Sequence, residues 1–244
     1  NDTLLKCNYN LLTVLPTLPL SLTFLECSYN QITILPTFPS SLKILFCAYN
    51  QLTTLPALPS SVYHIYASLN PITSLPSLPS SLLYLYVDQC QLSSLPLLPN
   101  SLKELICRNN QIASLPPLPT FLTKLICGNN QLQSLPVLPS SITDILCNAN
   151  QLTSLPSLPS SLLFFRCFNN QITSLPLLPN SLLTLDCNNN QLNSLPPLPQ
   201  SLTELYCQNN PVTCLPDLNL VTTIDFSNTQ INCIPSLSNV INSN

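Results

Sequence analysis

Nine cysteines, Cys7, Cys27, Cys47, Cys107, Cys127, Cys147, Cys167, Cys187 and Cys207, stand at steps of twenty residues or multiples of twenty. Thiols at a fixed spacing could serve a metal cluster, a row of redox centres or a disulfide framework. Metal sites want Cys and His gathered at short spacings such as C-x-x-C, which this chain lacks. The column that holds Cys holds Ala67, Val87 and Phe226 in other repeats, and that set describes an apolar core position. A free Cys packs as a small hydrophobe. Thiols stacked on neighbouring parallel strands would also have Cβ atoms roughly 4.8 Å apart, beyond the usual disulfide separation. The ladder is therefore expected to be core. Cys214 and Cys233 differ: they take a loop position that is Ser in most other repeats, one repeat apart near the end of the chain. They are expected to pair and to staple the end of the array.

No other constellation points to catalysis. His64 is the only histidine and has no Ser or Cys partner at a recognisable spacing, so it reads as a strand residue on an open face. Gly128 is the only glycine, which excludes a glycine-rich phosphate loop. The six Lys and Arg are scattered and the net charge is -3, so no footprint for nucleic acid exists. No apolar run approaches a membrane span, and direct membrane insertion is not expected. No enzyme activity, cofactor or metal is read from the chain.

The elements that must position these residues follow from the period. The unit SLxxLxCxxNQLTSLPxLPx recurs about twelve times in 244 residues, with a divergent copy and cap at 218–244. In TDILCN, Ile145 and Cys147 alternate with Asp144, Leu146 and Asn148, which is the signature of a short strand with one buried face. Stacked repeats make these strands a curved parallel sheet. In LPSLP at 155–159 the leucines and prolines are spaced by three, matching polyproline II, so Leu155 and Leu158 face the core from an extended convex side. The Asn column, for instance Asn130 and Asn150, lies where the chain leaves the sheet and is expected to satisfy loop backbone groups of two repeats. Cys90 takes that position in one repeat and Thr229 in the last.

Architecture leaves three columns free to vary: the residue before the buried Leu, the one between Leu and Cys, and the one after Cys. All three are expected to point outward on the concave side. They carry eleven of the fifteen charged residues and an apolar, aromatic stripe. Phe24, Phe46, Tyr66, Tyr84, Tyr86, Phe164, Phe168 and Tyr206 are the candidate partner-binding anchors, with Arg108, Lys124 and Arg166 at the rim.

The pattern LxxLxCxxNxL resembles the leucine-rich repeat, over essentially the whole chain, 1–244, read as a single solenoid domain. Its LPxLP form is similar to short bacterial leucine-rich repeats, and its LxCxxNQLTSLP units are closest to secreted or surface-displayed proteins of the Bacteroidetes type. That resemblance implies a noncatalytic module that binds a protein or peptide on the concave face, with an extracellular or cell-surface location. The partner could be another cell-surface or outer-membrane protein. Alternatives are an adhesive surface spacer and the targeting domain of a type III secreted effector. The chain opens in mid-repeat with NDTLLKCNYN, so an export signal is expected upstream.

Overall fold

The structure, a computed structural model, describes residues 3–218 and 220–234. Of the divergent end expected over 218–244, residues 219 and 235–244 lie outside the described residues. The chain divides into two compact units, Asn1–Leu122 and Thr123–Asn244. The first holds β1 (Leu4–Lys6), β2 (Phe24–Glu26), β3 (Ile44–Phe46), β4 (His64–Tyr66), β5 (Tyr84–Tyr86) and β6 (Glu104–Ile106). The second holds β7 (Lys124–Ile126), β8 (Asp144–Leu146), β9 (Phe164–Arg166), β10 (Thr184–Asp186), β11 (Glu204–Tyr206) and β12 (Thr223–Asp225). Within each unit consecutive strands pair in parallel, as the solenoid reading expects. Each repeat has one three-residue strand, and no helix occurs among the described residues.

The core is a set of stacked columns. The middle residue of each strand from β2 to β11 is buried, Leu25 through Leu205, and the ladder thiols from Cys27 to Cys207 pack beside them with no exposure. Phe165 is the one aromatic ring taken into these columns. The LPxLP segments run as irregular extended chain, and leucines such as Leu135, Leu138, Leu195 and Leu198 turn inward from it. Leu155 and Leu158 are half-buried.

Two polar ladders tie repeats together where the apolar core stops. Asn50 donates from Nδ2 to the carbonyls of Cys27, Cys47 and Ala48, and its Oδ1 accepts the Ile32 amide at 2.9 Å. Asn70, Asn150, Asn190 and Asn210 make the same donations. The second ladder is serine: Ser81 Oγ donates to the Val62 carbonyl at 2.6 Å and Ser201 Oγ to that of Leu182 at 2.7 Å. Buried carbonyls where the chain leaves the sheet are satisfied this way, some of them, such as that of Ala48, in addition to a backbone amide of the neighbouring repeat.

The residue before each Asn has a left-handed backbone, with φ between 51° and 57° from Tyr9 to Asn228. Only one chain position is Gly, and it is not among these. Asn fills the column in six repeats, in keeping with its tolerance of this conformation. Tyr9, Tyr29, Tyr49, Leu69, Gln89 and Ala149 have no such tolerance, at a cost of about 1–2 kcal/mol each. Inter-repeat hydrogen bonds hold them there: the Tyr29 amide donates to the Ala48 carbonyl and the Tyr49 amide to that of Ser68, both at 3.0 Å. Gly128 answers a different need. A Cβ on it would collide with Asn148 Oδ1, which lies over its Cα.

Candidate functional site

Strand pairing in the first unit brings its outward rings into one cluster. The register sets Phe46 beside His64's strand and Tyr66 directly beside Tyr86. Phe46 meets Phe24, His64 and Tyr66 edge-on, with centroids 5.5, 4.9 and 6.1 Å apart. His64 in turn lies 5.1 Å from Tyr84 and 5.3 Å from Tyr86, and Tyr66 and Tyr86 meet at 6.1 Å. Edge-to-face rings at these separations attract beyond their area of contact. All of these side chains are half-buried, by one another and not by the core.

The polar groups of this cluster are few. Tyr86 donates its hydroxyl to Glu104 Oε2 at 2.8 Å, and burial together with that bond pushes its phenol well up. His64 Nε2 is enclosed by rings and has no hydrogen-bond partner. Burial lowers the imidazole's pKa, against a smaller upward pull from Glu104, so His64 is neutral at pH 7. A lone histidine at this place binds no nucleophile and reads as part of the aromatic surface.

The third expected outward column is a correction. Ser28, Ala48, Ser68, Asp88, Asn148 and Asn188, each directly after the ladder position, are buried. The chain has already begun to turn off the sheet there, so these side chains lie against the next repeat's loop. Asp88 shows the consequence: it accepts the Ser68 hydroxyl and pairs with Arg108 Nε at 3.8 Å. Arg108 remains exposed and Phe168 half-buried, so those two candidates are accessible although their column is not.

The remaining candidates lie in the second unit. Lys124 opens β7, Phe164 and Arg166 flank buried Phe165 on β9, and Tyr206 ends β11. Among the described residues, ring contacts occur only in the first unit, so Phe164, Phe168 and Tyr206 do not form a cluster with one another. The outward positions here mix apolar and polar side chains: Ile126, Leu146, Phe164 and Tyr206 alternate with polar pairs in which Thr143, just before β8, donates to Asp144 Oδ2 at 2.6 Å and Thr184 to Glu204 Oε2 at 3.2 Å.

A second aromatic feature was not anticipated from the sequence. Tyr9, Tyr29 and Tyr49, in the left-handed column, stack face to face with centroids 4.3 and 4.1 Å apart and planes within 14°. Their signal was present in the text: three consecutive repeats carry Tyr where six others carry Asn. Beyond the stack, Cys90 replaces an Asn of the ladder. Its Sγ reaches the Ala67 and Asp88 carbonyls only at 3.7 Å, and an open cleft of about 320 Å³ lies there, lined by Leu69, Asn70, Pro71, Gln89, Cys90 and Gln91.

The thiols behave as core. Burial pushes Cys27, Cys147 and Cys207 up to about 12, Cys90 to about 11, and Cys47, Cys127, Cys167 and Cys187 well above the ordinary value. A thiolate nucleophile or ligand is disfavoured at each. Cys214 and Cys233 face one another across a parallel bridge with Cα atoms 4.9 Å apart and sulfurs at disulfide distance. No helix among the described residues is long and apolar enough to cross a membrane.

Comparison with known proteins places this geometry. The family described as Leucine Rich repeats (2 copies) matches residues 100–140. Among solved structures, YopM from Yersinia enterocolitica WA-314 is 32% identical with a TM-score of 0.76, covering 97% of this chain and 62% of its own. YopM from Yersinia pestis, described as a leucine-rich effector protein, is 31% identical with a TM-score of 0.74, covering 94% of this chain and 78% of its own. The functional domain of InlJ from Listeria monocytogenes, described as including a cysteine ladder, is 26% identical with a TM-score of 0.74, covering 86% of this chain and 49% of its own. The sequence matches none of the curated proteins compared with it.

Proposed function

The chain belongs to the leucine-rich repeat family, and from that premise we propose that it is a noncatalytic recognition module that binds a protein or peptide through the open face of its strands. The observation that carries this reading is the ring cluster of the first unit. A solvated sheet face would alternate polar outward, whereas Phe24, Phe46, Tyr66, Tyr84 and Tyr86 gather large apolar side chains there. Tyr and Phe are residues that anchor interfaces. Phe164, Phe168 and Tyr206 supply further contacts in the second unit, and Arg108, Lys124 and Arg166 orient the partner by charge.

An extracellular or cell-surface location fits the Cys214–Cys233 pair, since disulfides persist in oxidising compartments. A cell-surface or outer-membrane protein would then be the partner, and the affinity to secreted or surface repeats of the Bacteroidetes type belongs to this reading. The likeness to YopM favours a second one, in which the repeats are the targeting part of an effector.

The test is capture from the native source by the wild-type chain, a Tyr84→Ala/Tyr86→Ala variant and a Ser154→Ala/Ser174→Ala variant, each with a thermal melt. Loss of capture by the first variant at an unchanged melting point supports the reading. Capture that survives it, or falls only with the serine changes, leaves a structural spacer as the better account. Recovery of a bacterial envelope protein favours surface display, and recovery of a host protein favours the effector.

A further inference from the structure

We propose that the ring cluster of the first unit is a proton-gated binding surface: protonation of His64 parts the rings, so the partner is held at neutral pH and released in mild acid. The proposal rests on the recognition reading and adds its regulation.

His64 joins the rings of three strands. It meets Phe46 on β3 at 4.9 Å, and Tyr84 and Tyr86 on β5 at 5.1 and 5.3 Å. Among the described residues it is the sole ring contact of Tyr84. Packing alone does not call for an imidazole here, since the same column holds Phe24 and Phe164 in other repeats. A phenylalanine would fill the space without an orphan nitrogen. His64 Nε2 is instead buried with no hydrogen-bond partner, and such an atom in a folded chain asks for a reason.

The reason is the difference between its two charge states. An imidazolium carries a proton on both nitrogens, so the cation would hold an N–H at Nε2 with nothing to accept it. Burial accordingly lowers the pKa from the ordinary 6.5, against the smaller upward pull of Glu104. The groups facing the ring are few. On β3, Ile44 and Phe46 do not titrate; Tyr66 shares its strand, β5 presents Tyr84 and Tyr86, and β6 presents Glu104. Lys43 and Tyr63 lie just before β3 and β4, the lysine exposed. Glu104 is the one carboxylate in this set, and it already accepts the Tyr86 hydroxyl at 2.8 Å.

A proton taken from solvent therefore leaves the imidazolium two ways to satisfy Nε2. It leaves the rings for water, or it competes with Tyr86 for the Glu104 carboxylate. Either movement breaks contacts of Tyr84 and Tyr86, the two rings read as anchors. The neutral form is the binding form, and by linkage a bound partner opposes protonation in turn.

His64 is the only histidine, so in the full chain its Cε1 proton gives a single NMR resonance whose pH titration reads the site directly. The expected midpoint lies below the ordinary 6.5, with the near-UV circular dichroism of the tyrosines changing at the same midpoint. In His64→Phe, which keeps a ring and cannot titrate, that change should be absent. Capture of the partner from the native source should fall by about tenfold from about pH 7.5 to about pH 5, and by less than about twofold in His64→Phe. Glu104→Gln keeps an acceptor for Tyr86 and removes the anion, so it should lower the midpoint further, an independent check if His64→Phe melts early. A midpoint at or above 6.5, a dichroism that does not follow it, or a well-folded His64→Phe that keeps the pH dependence overturns the proposal. Capture that needs Tyr84 and Tyr86 but is equal at the two pH values overturns the gate and leaves the recognition reading. Capture indifferent to those tyrosines overturns both.

Discussion

Asn190 ties two consecutive repeats together: its Nδ2 donates to the carbonyls of Cys167 and Cys187 at 3.1 and 3.0 Å, while its Oδ1 accepts the Ile172 amide at 3.0 Å. A fourth contact, to the Asn188 carbonyl at 3.1 Å, closes the loop on itself. One side chain thus answers backbone groups that water cannot reach. Asn190→Ala should lower stability by about 1–3 kcal/mol, because the Cys167 and Cys187 carbonyls and the Ile172 amide lose this partner; the Asn188 carbonyl keeps the Asn169 amide. Gln191→Ala, on an exposed neighbour, should stay within about 0.5 kcal/mol. Urea melts of the two variants check this, and coincident midpoints would show that the ladder carries no stability.

Alkali should destabilise the chain from about pH 9 upward. The folded thiols of Cys27, Cys147 and Cys207 are raised to about 12, whereas in the unfolded chain they return to an ordinary value near 9. Above that pH the unfolded state binds fewer protons, so stability is complete below about 9 and is lost as pH rises toward 12. Each thiol contributes up to about 1.4 kcal/mol per pH unit of that slope. Urea midpoints at pH 8, 9 and 10 should fall, and Cys147→Ala should flatten the fall. A midpoint independent of pH would contradict the burial of the ladder.

Cys214 and Cys233 should be recovered as a crosslinked pair on peptide mapping without reductant. Their separation of 19 residues gives about 3 kcal/mol of stabilisation in the chain-entropy model. The ladder thiols from Cys27 to Cys207 should resist alkylation in the native protein and react once it is unfolded. Free alkylation of Cys214 and Cys233 in the native chain would remove the staple.

Gly128→Ala should destabilise by about 1–3 kcal/mol through overpacking against Asn148. In an Asn148→Ala background the same change should cost much less, leaving a coupling energy of about 0.5–3 kcal/mol. A double-mutant cycle by thermal melting measures it. Additive effects would mean that the glycine answers some other demand.

Much of this was legible in the sequence because each repeat states the same constraint again. The strands, the Asn ladder and the apolar thiol column follow from side-chain type at a fixed period, and Cys214 stands out against Ser in its own column. What was hidden depends on backbone direction. Asp88 and Asn148 are polar and follow a strand, so alternation places them outward; the chain's turn off the sheet places them inward. Tyr29 and Tyr49 have no propensity for φ above zero, and nothing in their type announces it. Their conformation is imposed by hydrogen bonds to the next repeat, a tertiary demand that local preference does not record. The ring cluster was half-visible: Tyr84 and Tyr86 were expected to be outward, while the enclosure of His64 among them required the register of three strands.

The fit of Asn148 over Gly128 bears on how a chain of this kind changes length over generations. A repeat here is twenty codons of nearly the same text, and unequal exchange between two copies removes or adds whole units in frame. Most junctions made that way would be sound, since each strand, amide and thiol meets a counterpart one period away that any other copy supplies. The repeats holding Gly128 and Asn148 are different. A crossover between them would set Asn148 against a neighbour that has a Cβ, and Gly128 beneath a neighbour that leaves its gap empty. Exchange at that one junction would lose the fit of Asn148 over Gly128, a cost that the repeated strand, amide and thiol positions do not impose.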